Sequence, residues 1–386
     1  MNARKVAFEI ITAAIIIAST SCGFQLDQNF DQLDGIQSDL KVDNDSGTPI
    51  LSNRLSDSVD IETSHIEFTS YIPKKFDIDP PLPNGGINPL SGLPVSDPEN
   101  LLLPPALVSV TNFPPTARPQ AGLSFSPIVF ELYIGDGMTR FLAIFYGDYP
   151  QSAVQANSTE LESDLTEGMQ EAVIGPVRSG RLPYEHIRQL FNGFIVMASA
   201  YSKVADQLTD FVNVFGDDQS DVNSAMVPVE SIEQIAKDSG KQLGDAALSG
   251  MVFNEQDPEN GKDAQSLWVY YAYKNQVFWR YNEIDGSYHR WQDDADGSTF
   301  IEQTDRLNGE PLTYENVIVL FADHEVQNKY LIDIDLMYVK RGMALLFRDG
   351  KMQEIYWTTK SEEYEQTTGK LRPIRFVDVD GNPIAL

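Results

Sequence analysis

Residues 126–147, SPIVFELYIGDGMTRFLAIFYG, set two runs rich in β-branched and aromatic residues on either side of a short glycine-bearing segment. Such runs suit a pleated sheet, and the glycines between them suit a reversal of direction, so the segment reads as an antiparallel hairpin. A four-residue loop over 135–138 sets Ile134 opposite Thr139, Leu132 opposite Phe141 and Phe130 opposite Ala143. One face is then apolar throughout, with Phe130, Leu132, Ile134, Phe141, Ala143 and Phe145, and a one-residue slip would mix the two faces. The other face carries Val129, Glu131, Tyr133, Arg140, Leu142 and Ile144. Glu131 and Arg140 are diagonal neighbours there and are expected to touch.

The sequence around this hairpin alternates strand and helix signals. PALVSVTN (105–112) reads as a strand, RLPYEHIRQLFNG (181–193) as a helix ended by glycine, and FIVMASA (194–200) as a buried strand. YSKVADQLTDF (201–211) and VESIEQIAKDSG (229–240) read as two more helices. Interleaving of this kind predicts an α/β fold of mixed α+β type, with an N-terminal domain over 88–254. After a polar linker at 255–265 the texture changes to short strands divided by turn signals such as Asp285 with Gly286 and Asp349 with Gly350. Residues 266–386 therefore read as a β-rich antiparallel domain.

The first 87 residues differ from both. Arg4 and Lys5 precede the apolar run 6–18, which is of signal-peptide length and too short to span a bilayer. STSC follows, and Cys22, the only cysteine, resembles the lipidated residue of a bacterial lipobox, although Ser19 stands where such motifs usually carry an aliphatic residue. Residues 1–22 are thus expected to be a signal peptide ending in a lipidation site. Residues 23–87, rich in Asp, Ser, Asn and Gln, read as a disordered acidic tether that buries too little apolar surface to offset its ordering entropy. The expected location is extracytoplasmic, with the lipid anchor as the link to the membrane.

Charge narrows the partners further. The chain carries 57 Asp and Glu against 28 Lys and Arg, a net charge of −29, which argues against nucleic acid. No phosphate-cradling glycine loop and no nucleophile elbow is present. Four scattered histidines and one cysteine offer no metal set, so neither metal nor cofactor is expected. QDDADG (292–297) lacks the ligands of a calcium loop at its first and twelfth positions and reads as a turn.

Within so acidic a chain, IGPVRSGR (174–181) places two arginines close together. Guanidinium groups clamp carboxylates and phosphates through paired hydrogen bonds, and they also brace buried acids. The candidate ligand-binding set is Arg118, Glu131, Tyr133, Asp136, Arg140, Arg178 and Arg181. No catalytic residue is assigned. The leading reading is a binding or scaffold module for a protein or cell-envelope ligand. The alternative is a cell-wall-directed hydrolase or transferase that uses the Glu131 or Asp136 carboxylate with the arginine cluster. A third possibility is that the arginines serve only the fold.

Taken in order, NPLSGLPV (88–95), ARPQAGLS (117–124), IVFELYIGDGMTRFLAIF (128–145), IGPVRSGR, LTYENVIVLFADHEV (312–326), IDIDL (332–336) and MALLFRDGK (343–351) resemble the YerB-like family of bacterial lipoproteins. That family pairs two domains of unknown function. The resemblance implies a three-layer, mixed α/β sandwich outside the cytoplasm, and it supplies no catalytic residues. ASAYS (198–202) departs from the histidine and paired glycines that relatives tend to carry there.

Overall fold

The structure, a computed structural model, describes the backbone of residues 13–18 and residues 86–149, 173–216, 223–243, 247–256, 258, 260–328 and 331–386. Cys22 and nearly all of the 23–87 tether lie outside the described residues.

The strands that build the frame are β1 (Ala13–Ala18), β2 (Ala106–Thr111), β3 (Ile128–Gly135), β4 (Met138–Phe145), β5 (Phe194–Met197), β6 (Phe211–Asn213), β7 (Ser266–Ala272), β8 (Asn275–Asn282), β9 (Ser287–Asp293), β10 (Phe300–Glu302), β11 (Asn316–Phe321), β12 (Gly342–Arg348), β13 (Lys351–Thr358) and β14 (Arg375–Val377). The helices are α1 (Pro183–Phe191), α2 (Ser202–Ala205), α3 (Val229–Asp238) and α4 (Glu362–Thr368). One long sheet runs β14-β13-β12-β11-β1-β3-β4-β2-β5-β6, and β7 to β10 form a separate meander. In the long sheet only β2 with β5 and β5 with β6 are parallel. Segments from both halves of the chain thus share one sheet.

Both faces of that sheet are covered. On one face Leu107, Phe130, Leu142 and Ile318 pack with Tyr184, Ile187 and Phe191 of α1. On the other, Val110, Val129, Phe141 and Val317 meet Val277, Trp279 and Tyr288 of the meander and Ile232 of α3. This corrects the expected mixed α/β three-layer sandwich: the protein is β-rich, built of several sheets, and the helices are few and short. The alternation of helix and strand holds only around 181–238. Much of the layer facing the sheet is itself a sheet, made by the C-terminal meander. The segment 201–211 read as a helix forms one turn, α2, and then enters strand β6.

Local chemistry accounts for the elements that do match. Helix α1 starts with Pro183 in its first turn and ends at Asn192, which takes the left-handed conformation at φ 53°. Gly193 answers a different need, because a Cβ there would stand 2.5 Å from the Pro105 carbonyl oxygen.

The hairpin register is also corrected. Tyr133 faces Thr139, Leu132 faces Arg140, Glu131 faces Phe141 and Phe130 faces Leu142. Asp136 and Gly137, at φ 52° and 76°, form a two-residue turn of the kind Asp-Gly favours, and an irregularity between Tyr133 and Gly135 shifts the ladder by one residue. Glu131 and Arg140 consequently lie on opposite faces of the sheet and do not touch.

Candidate functional site

The slip in register divides the candidate residues into two clusters. The first lies on the meander side. Glu131 and Arg290, both side chains fully buried, pair at 3.0 Å. The second Glu131 oxygen accepts from Thr139 Oγ1 at 2.8 Å and from Asn112 Nδ2 at 3.5 Å. Arg290 donates to Gln292 Oε1 at 2.7 Å, and Gln292 donates to Asn275 Oδ1 at 3.0 Å. The guanidinium lies 5.0 Å from the Phe141 ring and 5.7 Å from the Trp279 ring. The set is sealed and polar at its centre, and it ties strand β3 to strand β9.

Arg118 belongs to the same side. It donates to the Asp293 carbonyl at 2.7 Å and to the Asn112 carbonyl at 3.3 Å, and lies over Phe113. Burial, reinforced by the charge of Arg290, pulls its pKa down to about 10. Tyr133 accepts a hydrogen bond from the Gly137 amide at 3.3 Å, and Asp136 is exposed in the turn. Asp293 accepts from the amides of Asp296 and Gly297, so QDDADG closes as a turn about its own carboxylate.

The second cluster lies on the α1 side. Segment 174–180 runs beside the end of β2: Thr111 donates to the Pro176 carbonyl at 2.9 Å, and the Arg178 amide donates to the Ser109 carbonyl at 2.8 Å. The Ala198 amide in turn donates to the Arg178 carbonyl at 3.0 Å, so the arginines stand at the C-terminal ends of parallel strands β2 and β5. Gly180 allows the approach, since a Cβ there would meet Met197 Sδ at 2.4 Å.

Arg140, nearly buried, reaches into this corner and donates through Nη1 to the Ser179 carbonyl at 2.9 Å. Its Nε is buried with no partner, as is the Nε of Arg181. Burial, opposed by the Tyr184 hydroxyl and reinforced by Arg181 and Arg178, lowers Arg140 to about 10. Arg181 is lowered by burial as well, and Arg178 adds to that effect. Tyr184, fully buried, shares a 3.2 Å hydrogen bond with Ser109. Among the described residues no carboxylate pairs with Arg140, Arg178 or Arg181, whereas Arg188, in helix α1, holds Glu185 at 2.6 Å.

The structure therefore brings together Arg140, Arg178 and Arg181. It places Glu131 and Arg118 apart from them, with Tyr133 and Asp136 in the hairpin end. Sequence reasoning missed Arg290, Tyr184 and Ser109. Arg290 carries a faint signal, because Tyr288, Arg290 and Gln292 alternate on one strand face, but nothing in the chain order links position 290 to position 131. Among the described residues, no group of three or more His, Cys, Asp or Glu could hold a metal ion, and no helix is long and apolar enough to cross a membrane.

One acidic group titrates near neutrality. Burial raises Glu315, just before β11, from 4.5 to about 7, against a weaker pull from Arg348. Between those values the folded chain keeps a proton that the unfolded chain has lost, so this group's contribution to stability falls as pH rises across the window. Glu315→Gln should flatten that part of the profile: melting temperatures taken from pH 4.5 to 7.5 should decline less in the variant than in the parent. Parallel profiles would rule out Glu315 as the source.

Comparison with known proteins agrees with this architecture. A putative lipoprotein YerB of Bacillus subtilis strain 168 is 27% identical over 307 residues, spanning 74% of this chain and 80% of its own length. The crystal structure of the YerB protein from Bacillus subtilis matches with a TM-score of 0.58 at 24% identity, covering 77% of this chain and 92% of that one, a likeness of fold. Residues 90–237 match the N-terminal domain, and residues 267–386 the C-terminal domain, of a protein of unknown function, DUF3048. The chain belongs to this YerB-like DUF3048 family.

Proposed function

We propose that the protein is a lipoprotein, anchored to the outer face of a bacterial membrane through Cys22, that recognises an anionic group of a protein or cell-envelope ligand at Arg140, Arg178 and Arg181. The observation that carries the reading is the convergence of three guanidinium groups with no acidic partner among the described residues. Three like charges drawn together and partly stripped of water cost stability, and an incoming carboxylate or phosphate would offset that cost through charge-assisted hydrogen bonds. Their position at the ends of parallel strands resembles the crevice where open parallel sheets hold ligands. The YerB relative's name and the lipobox-like sequence support the anchor. The closed pairing of Glu131 favours binding over the hydrolase reading, since both of its oxygens are engaged and its side chain has no exposed surface.

Arg178→Ala with Arg181→Ala tests the site. With the anion absent, the double variant should melt at or slightly above the parent temperature, because like-charge repulsion is relieved. Inorganic phosphate or citrate should raise the parent's melting temperature and shift the variant's at least ten-fold less sensitively in concentration. A large drop in the variant's melting temperature without ligand would make the arginines a brace and overturn the proposal.

A further inference from the structure

Segment 178–182 runs past the ends of β2 and β5 and leads straight into helix α1, which begins at Pro183. Arg140 comes to this segment from below: it is 6% exposed, its Nη1 donates to the Ser179 carbonyl at 2.9 Å, and its Nε, like that of Arg181, is buried without an acceptor. The N-terminal end of a nine-residue helix brings the positive end of its dipole to the same corner. Glu185, the acid in the first turn of α1, is drawn away from it. Arg188 engages both Glu185 oxygens, at 2.6 and 3.1 Å, and Gln189 and Thr209 complete the shell. The Ser109 hydroxyl is held by Tyr184 at 3.2 Å and by the Ser179 carbonyl at 3.4 Å. The groups that could neutralise the corner from within are thus engaged elsewhere, and the positive charge stays unmatched.

Building on the anion-binding reading above, we infer that the group taken by Arg140, Arg178 and Arg181 is the terminal phosphate of a phosphate monoester, rather than a carboxylate or a phosphodiester. A carboxylate offers two oxygens and one charge, and a phosphodiester exposes two free oxygens and one charge. A monoester offers three oxygens and close to two charges at neutral pH. Three guanidinium groups, each a planar fork of donors, match three acceptor oxygens. Among the described residues no carboxylate is paired with these arginines to repel the second charge. The N-terminus of α1 favours the same ligand, since aligned backbone dipoles at helix starts hold phosphate groups. Arg140 sets the depth of the site. Being almost fully covered, it is reached by a group that projects from the end of its ligand and not by a phosphate strung within a chain.

Calorimetric titration of the full-length protein near neutral pH with phenyl phosphate, phenyl sulfate and benzoate tests this. The sulfate keeps the ring and the three oxygens but carries one charge, and benzoate keeps the ring with two oxygens. Phenyl phosphate should bind roughly ten-fold more tightly than either. Arg178→Gln, at a half-buried position, should keep the parent's melting temperature and lose roughly ten-fold in affinity for phenyl phosphate, with a smaller loss for the sulfate. Phosphatidic acid in phosphatidylcholine vesicles distinguishes the source of the monoester: displacement of phenyl phosphate assigns it to a lipid, and no displacement assigns it to a soluble ligand, the chemistry being supported in both cases. Equal affinity for the three anions would overturn the monoester and leave the anion site standing, whereas no binding of any of them would overturn both. Unchanged phenyl phosphate affinity in Arg178→Gln would put the phosphate elsewhere and overturn the inference.

Discussion

Glu131→Leu should destabilise the protein by about 3–5 kcal/mol, because it strands the Arg290 guanidinium, whose side chain is wholly buried, without a counter-charge. Arg290→Met should cost a similar amount for the mirrored reason, and it also leaves Gln292 without its donor. The double variant should be far closer to the parent than the sum, since an apolar pair of similar volume can sit between Phe141 and Trp279 without desolvating any charge. Urea unfolding of the four proteins measures the coupling. Additive losses would mean that the two charges do not act as a pair. The pair matters for architecture because residue 131 lies in the first half of the sheet and residue 290 in the meander, so the meander's docking depends on it.

Asp305→Ala should cost about 3–6 kcal/mol. The carboxylate is almost fully buried and accepts four hydrogen bonds: from the amides of Gly122, Ser124 and Leu307, each at 2.8 Å, and from the Ser124 hydroxyl at 2.9 Å. Truncation leaves three backbone donors in a dry joint, each worth about 1–3 kcal/mol when unsatisfied. Asp305→Asn keeps the volume but turns an amide donor toward those amides, so it should recover little of the loss. If Asp305→Asn melts like the parent, the carboxylate does not hold the loop at 122–125 in the way the distances indicate. Arg140, Arg178 and Arg181 lie on the other side of the sheet, so anion binding should survive both Asp305 variants whenever the protein is folded.

Much of the chain's punctuation was legible beforehand. Helices α1 and α3 follow an apolar stripe at helical spacing, and the strands of the meander follow from short aromatic and β-branched runs divided by turn signals such as Asp285 with Gly286. The register of 128–145 was not legible, and the reason is physical. Alternation pins a register when one face is dry and the other wet, but here both faces are buried, so apolar residues stand on each and a one-residue slip carries no penalty visible in the pattern. The β-rich class was missed for a related reason. Local signals reported α1 and α3 but overcalled the helix at 201–211, and they could not report that the other half of the chain returns as strands to extend the sheet and cover it.

The sequence by itself determined the family, the helix and strand segments of greatest periodicity, and the presence of an unusual arginine pair in an acidic chain, because these depend on residue types and on neighbours a few positions apart. Only the tertiary structure decided which charges meet. Glu131 finds Arg290, separated from it by 159 positions, rather than Arg140 across the same hairpin, and Arg178 and Arg181 find Arg140 and, among the described residues, no acid. Such pairings rest on register, on which face a strand turns toward its neighbour and on how layers stack, and these are settled by burial across the whole sheet.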